Sequence, residues 1–229
     1  QMCIRDRKQL EDAENAIIKS KSLSGGTICI GVSEIALRIF LLKKLEKFTE
    51  LFPDVKIKLT NHSTNQAVNA LKAGLVDFAV VTTPVALKKP LQRIPLYSFR
   101  EILIGGEEYA ETASNKHCLQ DLQDIPLIGI APGSSTRELY TQYFMRHNLP
   151  FSPDMEVATT DQIFPMVQHN LGIGFFPEEL AAEHIAQGKI VQIPIEEPLP
   201  ERKICLIRNV KRPQSIAAVS YTHLRAHET

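Results

Sequence analysis

Two short runs of hydroxyl-bearing residues stand at equivalent places in the chain. Ser33-Glu34 follows the apolar stretch 27–32, and Gly133-Ser134-Ser135-Thr136 follows the apolar stretch 126–131. After each run the apolar spacing changes to that of a helix. A strand that turns through small hydroxyl residues into a helix leaves backbone N–H groups unpaired around one point, and such a point suits an anionic or polar group. Either turn alone is also an ordinary N-cap. Two in one chain predict two α/β lobes that face each other across a cleft. Glu34 is the one carboxylate placed there. It can recognise a cationic group on a ligand, or simply favour the helix N-terminus electrostatically. Arg137, just past the second run, can pair with a ligand carboxylate or lie solvated on its helix.

The elements that must position these turns follow from periodicity. Residues 8–20 read as a helix with Leu10, Ala13 and Ile17 on one face, and 22–26 as a break. Residues 27–32 read as a strand and 36–52 as a helix closed by Pro53. That helix carries apolar residues on more than one face (Leu37, Phe40, Leu41, Leu45 and Phe48, with Ile39 and Leu42 beside them), which predicts burial on two sides, one of them against a second subunit. Val55, Ile57 and Leu59 alternate with lysines, as in a strand with one wet face. Thr64 to Ala73 reads as a helix capped by Ser63 or Thr64 and ended by Gly74, and 77–81 as a buried strand. Asp77, between them, is read as capping backbone.

A second unit repeats the plan. Strands are predicted at 102–104, 126–131, 155–159, 172–177 and 190–193, with helices at 119–124, 135–147, 161–169 and 178–187. Thr160 is read as the cap of the 161–169 helix, and Pro165 should kink that helix or shift its start. A last strand, 203–208, is expected to return to the first lobe. Strands alternating with helices predict largely parallel sheets, an α/β fold.

With 229 residues, 44% of them hydrophobic and 23% charged, the chain can bury a substantial core. Lys+Arg and Asp+Glu are both 26, so this chain lacks the basic surplus that gripping nucleic acid requires. No run is long and apolar enough to span a bilayer, and no signal-peptide h-region opens the sequence. Cys3, Cys29, Cys118 and Cys205 form no CxxC pair, which reads as reduced thiols in a cytoplasmic protein. No phosphate loop, nucleophile elbow or zinc-protease motif is present, and His62, His117, His147, His169 and His184 share no ligand spacing. No cofactor, metal or catalytic group is therefore expected. The Gly172-x-Gly174 pair is read as allowing close strand–helix packing. The terminal stretches 1–7 and 220–229 look foreign, like adapter read-through, and His223 and His227 are excluded as a metal site on that ground.

The stretch GTICIGVSEIALRIFLLKKLEKFTELFPDVKIKL resembles the opening of the effector-binding domain of LysR-type transcriptional regulators. So do ALKAGLVDFAVV, LQDIPLIGIAPGSSTRELYTQYF and TTDQIFPMVQHNLGIGFFPEELA, in that order, over about residues 8–218. The resemblance implies two subdomains, like a type 2 periplasmic solute-binding protein, joined by two crossover strands, with a small polar or anionic metabolite bound between them. It implies boundaries at 8–24 for the end of a linker helix, 25–96 with 205–219 for subdomain I, and 97–204 for subdomain II. It also implies a homodimer, and DNA contact only through a winged helix-turn-helix absent from this chain. Matched position by position, the effector site comprises Ser33, Glu34, Thr64, Thr83, Pro132, Gly133, Ser134, Ser135, Thr136 and Thr160, with Thr82 beside the crossover. The chain departs from the pattern at Lys43-Lys44, where many members carry prolines, and the stretch from Ser33 to Phe40 is about one residue longer than common. The final helix is expected near Ser215. The competing readings are a transporter's solute-binding protein, against which the leading helix and missing signal peptide stand, and a bilobal enzyme such as a dehydratase or phosphoribosyltransferase. The enzyme would need an acid–base pair or phosphate loop in the cleft.

Overall fold

The computed structural model describes residues 26–61 and 63–211. The helix expected over 8–20, the two suspected foreign ends and the helix expected near Ser215 lie outside these residues. Within them the chain forms two five-stranded sheets, ordered β2-β1-β3-β10-β4 and β7-β6-β8-β5-β9.

In β1 (Gly26–Val32) alternation sends Ile28, Ile30 and Val32 to one face, and Cys29 and Gly31 to the other. The first face is covered by α1, a continuous helix made of Glu34–Ala36, a wide π turn Leu37–Leu41, and Leu42–Leu51. In the π turn the Leu42 N–H reaches back to the Leu37 carbonyl. Such a turn takes up one residue more than an α turn. It overlaps the stretch where the resemblance placed an extra residue. Ile35 and Ala36 before it, and Leu45 and Phe48 after it, thereby all stay buried against the sheet. Burying a side chain such as Phe48 contributes about 1.5–3 kcal/mol.

β2 (Val55–Asn61) pairs parallel with β1 as an edge strand. α2 (Thr64–Ala73) begins with a capping box between Ser63 and Gln66 and ends at Gly74 in the left-handed region, and it covers the sheet's other face through Ala67, Val68 and Leu71. β3 (Phe78–Thr82) is buried throughout, as a strand covered by helices on both faces must be. The Asp77 carboxylate accepts from the Cys29 N–H at 2.7 Å, so it does cap backbone.

β4 (Leu91–Phe99) stays in the first sheet, pairing antiparallel with β10. The chain therefore changes sheet at Arg100, later than the boundary implied after residue 96. The reason is that β4 is an edge strand with a Pro95 interruption and a half-wet face, a weak apolar signal. β5 (Glu101–Gly105) opens the second sheet, and α3 (Ala110–Ala113) follows a 3-10 turn at Glu107–Tyr109. The helical segment foreseen at 119–124 is a 3-10 turn, Leu119–Leu122.

β6 (Leu127–Ile130), α4 (Ser135–Arg146), β7 (Met155–Val157), α5 (Ile163–Gln168) and β8 (Ile173–Pro177) then repeat the plan of the first lobe. A 3-10 turn, Thr160–Gln162, precedes α5. Its cap is Thr159, which shares a capping box with Gln162, and not Thr160 as expected. Pro165 sits in the first turn of α5, where a missing N–H costs little, so it shifts the start rather than kinking the helix. A Cβ on Gly174 would lie 2.7 Å from Ile163, so glycine there allows the close strand–helix packing that was foreseen. α6 (Glu178–Ala186) and β9 (Val191–Ile193) complete the second sheet. β10 (Arg202–Asn209) returns to the first, beginning three residues before the implied boundary at 205. In each sheet three parallel strands adjoin an antiparallel strand that carries the chain across, β10 in the first and β5 in the second.

Candidate functional site

A cavity of about 60 Å³ lies between the lobes. The first lobe contributes Ser33, Glu34, Ile35, Asn61, Ser63, Thr64 and Thr82. The second contributes Ile130, Ser134, Ser135, Thr136, Ala158, Thr159 and Thr160. The starts of α1, α2, α4 and the 3-10 turn before α5 all border this space. Their first N–H groups have no partner within their own helices, so four positive helix ends converge on a space lined by hydroxyls.

The hydroxyls are not equivalent. Ser134 caps α4, accepting from the Arg137 N–H at 3.0 Å. Ser33 occupies the cap position of α1 and makes no side-chain cap bond. Its residue is only 8% exposed, and among the described residues its Oγ has no partner. A buried hydroxyl left unpaired costs free energy, and it is found where a ligand or ordered water completes it. Thr64 donates to the Thr82 carbonyl at 3.2 Å, which pins α2 to the end of β3.

Of the expected site residues, Ser33, Glu34, Thr64, Ser134, Ser135, Thr136 and Thr160 come together around the cavity. Thr83, Pro132 and Gly133 do not line it. The Thr83 hydroxyl accepts from the Lys203 N–H at 2.8 Å, which ties the chain to the returning strand. Pro132 and Gly133 are exposed. Gly133 shapes the turn with φ near 90°, and its carbonyl accepts from Asn65 at 3.4 Å across the lobes. Glu34 is held by the Asn61 amide at 2.9 Å. Arg137 takes neither suggested role. It pairs with Glu156 at 2.6 Å, donates to the Ile130 carbonyl at 3.0 Å and stacks over Phe151.

Sequence reasoning missed the buried polar cluster beside the cavity. Arg202, 1% exposed, forms an ion pair with Glu101 at 2.6 Å. Its other N–H groups reach Thr82 at 3.0 Å, Thr136 at 3.1 Å and the Thr83 carbonyl at 2.7 Å. Tyr140 donates to the second Glu101 oxygen at 3.2 Å. Burial, and then the Glu101 charge, hold the Tyr140 phenol well above its usual pKa. Phe99 lies under the guanidinium, 5.3 Å away. Glu101 and Arg202 are the first residues of β5 and β10, the strands that follow each passage between lobes. The only sequence signal was a charge placed at the head of a strongly apolar strand, which reads equally well as a solvated strand end.

A family model described as the LysR substrate binding domain matches residues 21–224. The "Probable RuBisCO transcriptional regulator" of Trichormus variabilis is 26% identical over 96% of this chain, and the chain spans 65% of that relative's length. Among solved structures, the effector-binding domain of QuiR in complex with shikimate gives a TM-score of 0.77 at 20% identity, covering 88% of this chain and 96% of that one. The regulatory domain of Synechocystis PCC6803 CcmR in complex with 2-PG gives 0.77 at 18% identity, covering 88% and 96%. These likenesses agree with the two-sheet architecture, and the chain belongs to the LysR substrate-binding domain family, the effector-binding part of LysR-type regulators.

Proposed function

We propose that the cavity between the lobes binds a small anionic metabolite through a carboxylate, phosphate or sulfate-like group. The observation that carries this reading is the unpaired Ser33 Oγ, buried where four helical segments begin. Ser33, Thr64, Ser135, Thr136 and Thr160 are the direct contacts, and Ser134 acts by holding the α4 turn. At about 60 Å³ the space suits a single oxyanion group, so a larger effector extends outward past Glu34 or holds the lobes further apart. Binding changes regulation only if the effector prefers one lobe or subunit arrangement over another. That preference is read by a winged helix-turn-helix outside this chain, in a cytoplasmic regulator.

The domain acts as a homodimer. Leu42 is 50% exposed and Leu59 39% exposed, and with Leu45 and Ile57 they line a hollow along α1 and β2 that Lys43, Glu46 and Thr49 edge. This is the second apolar side foreseen for the helix, and a hollow of that kind fits a subunit interface. The test of the effector site is thermal unfolding of the 229-residue chain with shikimate, 2-PG or sulfate, in wild type and Ser33→Ala. A ligand at a hundred times its dissociation constant adds roughly 2.7 kcal/mol of stability. Stabilisation of wild type that shrinks clearly in Ser33→Ala supports the site, and stabilisation of equal size in the variant overturns it.

A further inference from the structure

Arg202 does not line the cavity, yet it touches two residues that do. Its Nη2 donates to Thr82 Oγ1 at 3.0 Å and to Thr136 Oγ1 at 3.1 Å, one threonine from each lobe. The rest of the guanidinium is engaged, with Nη1 on Glu101 and Nε on the Thr83 carbonyl. Arg cannot act as an acceptor and stays protonated at any ordinary pH. Each threonine oxygen therefore receives a hydrogen bond from a permanent cation, and each hydroxyl proton must turn elsewhere. Among the described residues neither proton meets an acceptor, and both side chains border the cavity. Thr82 is only 3% exposed, so bulk water does not readily serve it.

We infer that Arg202 is a positioning residue that fixes Thr82 and Thr136 as hydrogen-bond donors to the cavity, so that this part of the site selects oxyanions bearing no proton. This rests on the effector reading above. A threonine free to rotate can donate or accept and so tolerates either kind of ligand atom. A threonine already accepting from Arg202 keeps a second lone pair, but it lies beside a permanent cation, where a protonated ligand oxygen is a poor partner, while its free O–H meets an unprotonated oxygen directly. Sites built with fixed donors reject ligands that cannot accept from them. The fork also sets the spacing of the two donors, because one nitrogen holds both lobes' threonines. Glu101 and Tyr140 complete the arrangement by occupying the other side of the guanidinium.

The experiment compares inorganic sulfate, which carries no proton at neutral pH, with inorganic phosphate, which carries at least one. Affinities are measured calorimetrically for wild type, Arg202→Lys, Thr136→Val and Ser33→Ala. Wild type should bind sulfate at least about tenfold more tightly than phosphate. A lysine in place of Arg202 can still pair with Glu101, but its one nitrogen cannot stand both on Glu101, as Nη1 does, and between the two threonines, as Nη2 does. In Arg202→Lys the preference should fall towards unity, because the freed hydroxyls can accept the phosphate proton. A role confined to structure would instead weaken both anions alike and leave the ratio unchanged, and that result would overturn the inference. A wild type without preference would overturn it too. Thr136→Val keeps the inference testable if Arg202→Lys does not fold: it should lose sulfate affinity and most of the preference, and an unaltered ratio there counts against it. Sulfate affinity unchanged in Ser33→Ala, or no binding of either anion to wild type, would remove the effector reading itself. Binding weakened in Ser33→Ala with a ratio indifferent to Arg202 would remove only the role of Arg202.

Discussion

The Ser33 turn and the Ser134 turn look alike in sequence and differ in use. Each serine stands between a buried strand and a helix, with extended backbone at the cap position, ψ 148° for Ser33 and 149° for Ser134. Ser134 bonds its own helix, while Ser33 leaves its hydroxyl unpaired within the cavity. A capped helix start is stable without a ligand, and an uncapped one has a group in reserve. The comparison separates two jobs that an N-cap serine can do, holding the fold and meeting a partner, and it assigns one to each lobe.

The largest effect comes from removing the buried cation that reaches the Ser134 turn through Thr136 and the end of β3 through Thr82. Arg202→Met leaves the Glu101 carboxylate buried and unpaired, and should cost about 3–5 kcal/mol in denaturant unfolding. Adding Glu101→Leu should recover part of that loss, since the double variant leaves no lone buried charge.

Next in size is the effect of Ser33 on binding. A hydrogen bond to a charged group contributes about 1.5–3 kcal/mol, so Ser33→Ala should weaken an anionic effector roughly ten- to a hundredfold by calorimetry. Stability without ligand should then sharpen the contrast. Ser134→Ala removes a working cap and should cost about 1 kcal/mol. Ser33→Ala removes a hydroxyl with no partner among the described residues, and should change unfolding by no more than about 0.5 kcal/mol in either direction. Equal losses in the two variants would erase the distinction.

The mildest perturbation is pH. The folded state raises the pKa of Tyr140, first by burial and then by the Glu101 charge, so it favours the protonated phenol. Its contribution is fully present below the unfolded pKa near 10 and is lost as pH rises above it. The unfolding midpoint should fall from about pH 10 upward. Tyr140→Phe should show a shallower fall over that range, because Phe has no proton to lose.

Much of the fold could be read from the sequence because strand and helix periods are strong where both faces are buried, as in β3 and β8. The turns at Ser33 and Ser134, a cap at Ser63 or Thr64 and the Gly74 stop were visible as local chemistry, and the capping box with Gln66 settles the cap as Ser63. The edge strand β4 was harder, since half its residues face solvent and its apolar pattern thins around Pro95. The assignment of the 161–169 cap to Thr160 was off by one, because Thr159-Thr160 offers two equal hydroxyls and only the capping box with Gln162 chooses between them. Thr83 was placed one residue too far along the chain, since strand alternation alone does not say where β3 stops facing the cleft. The Arg202–Glu101 pair was invisible because it joins residues 101 positions apart, and burial of a charge cannot be seen without its partner.

The shared interlobe site is tested most directly by a ¹⁵N amide titration of the chain with sulfate. Amides of Glu34, Ile35, Asn65, Ser135, Thr136 and Thr160 should shift together with one dissociation constant, since these N–H groups lie at the four helix starts. Shifts confined to one lobe, or gathered in the apolar hollow around Leu119, Leu122 and Phe144, would contradict a shared interlobe site.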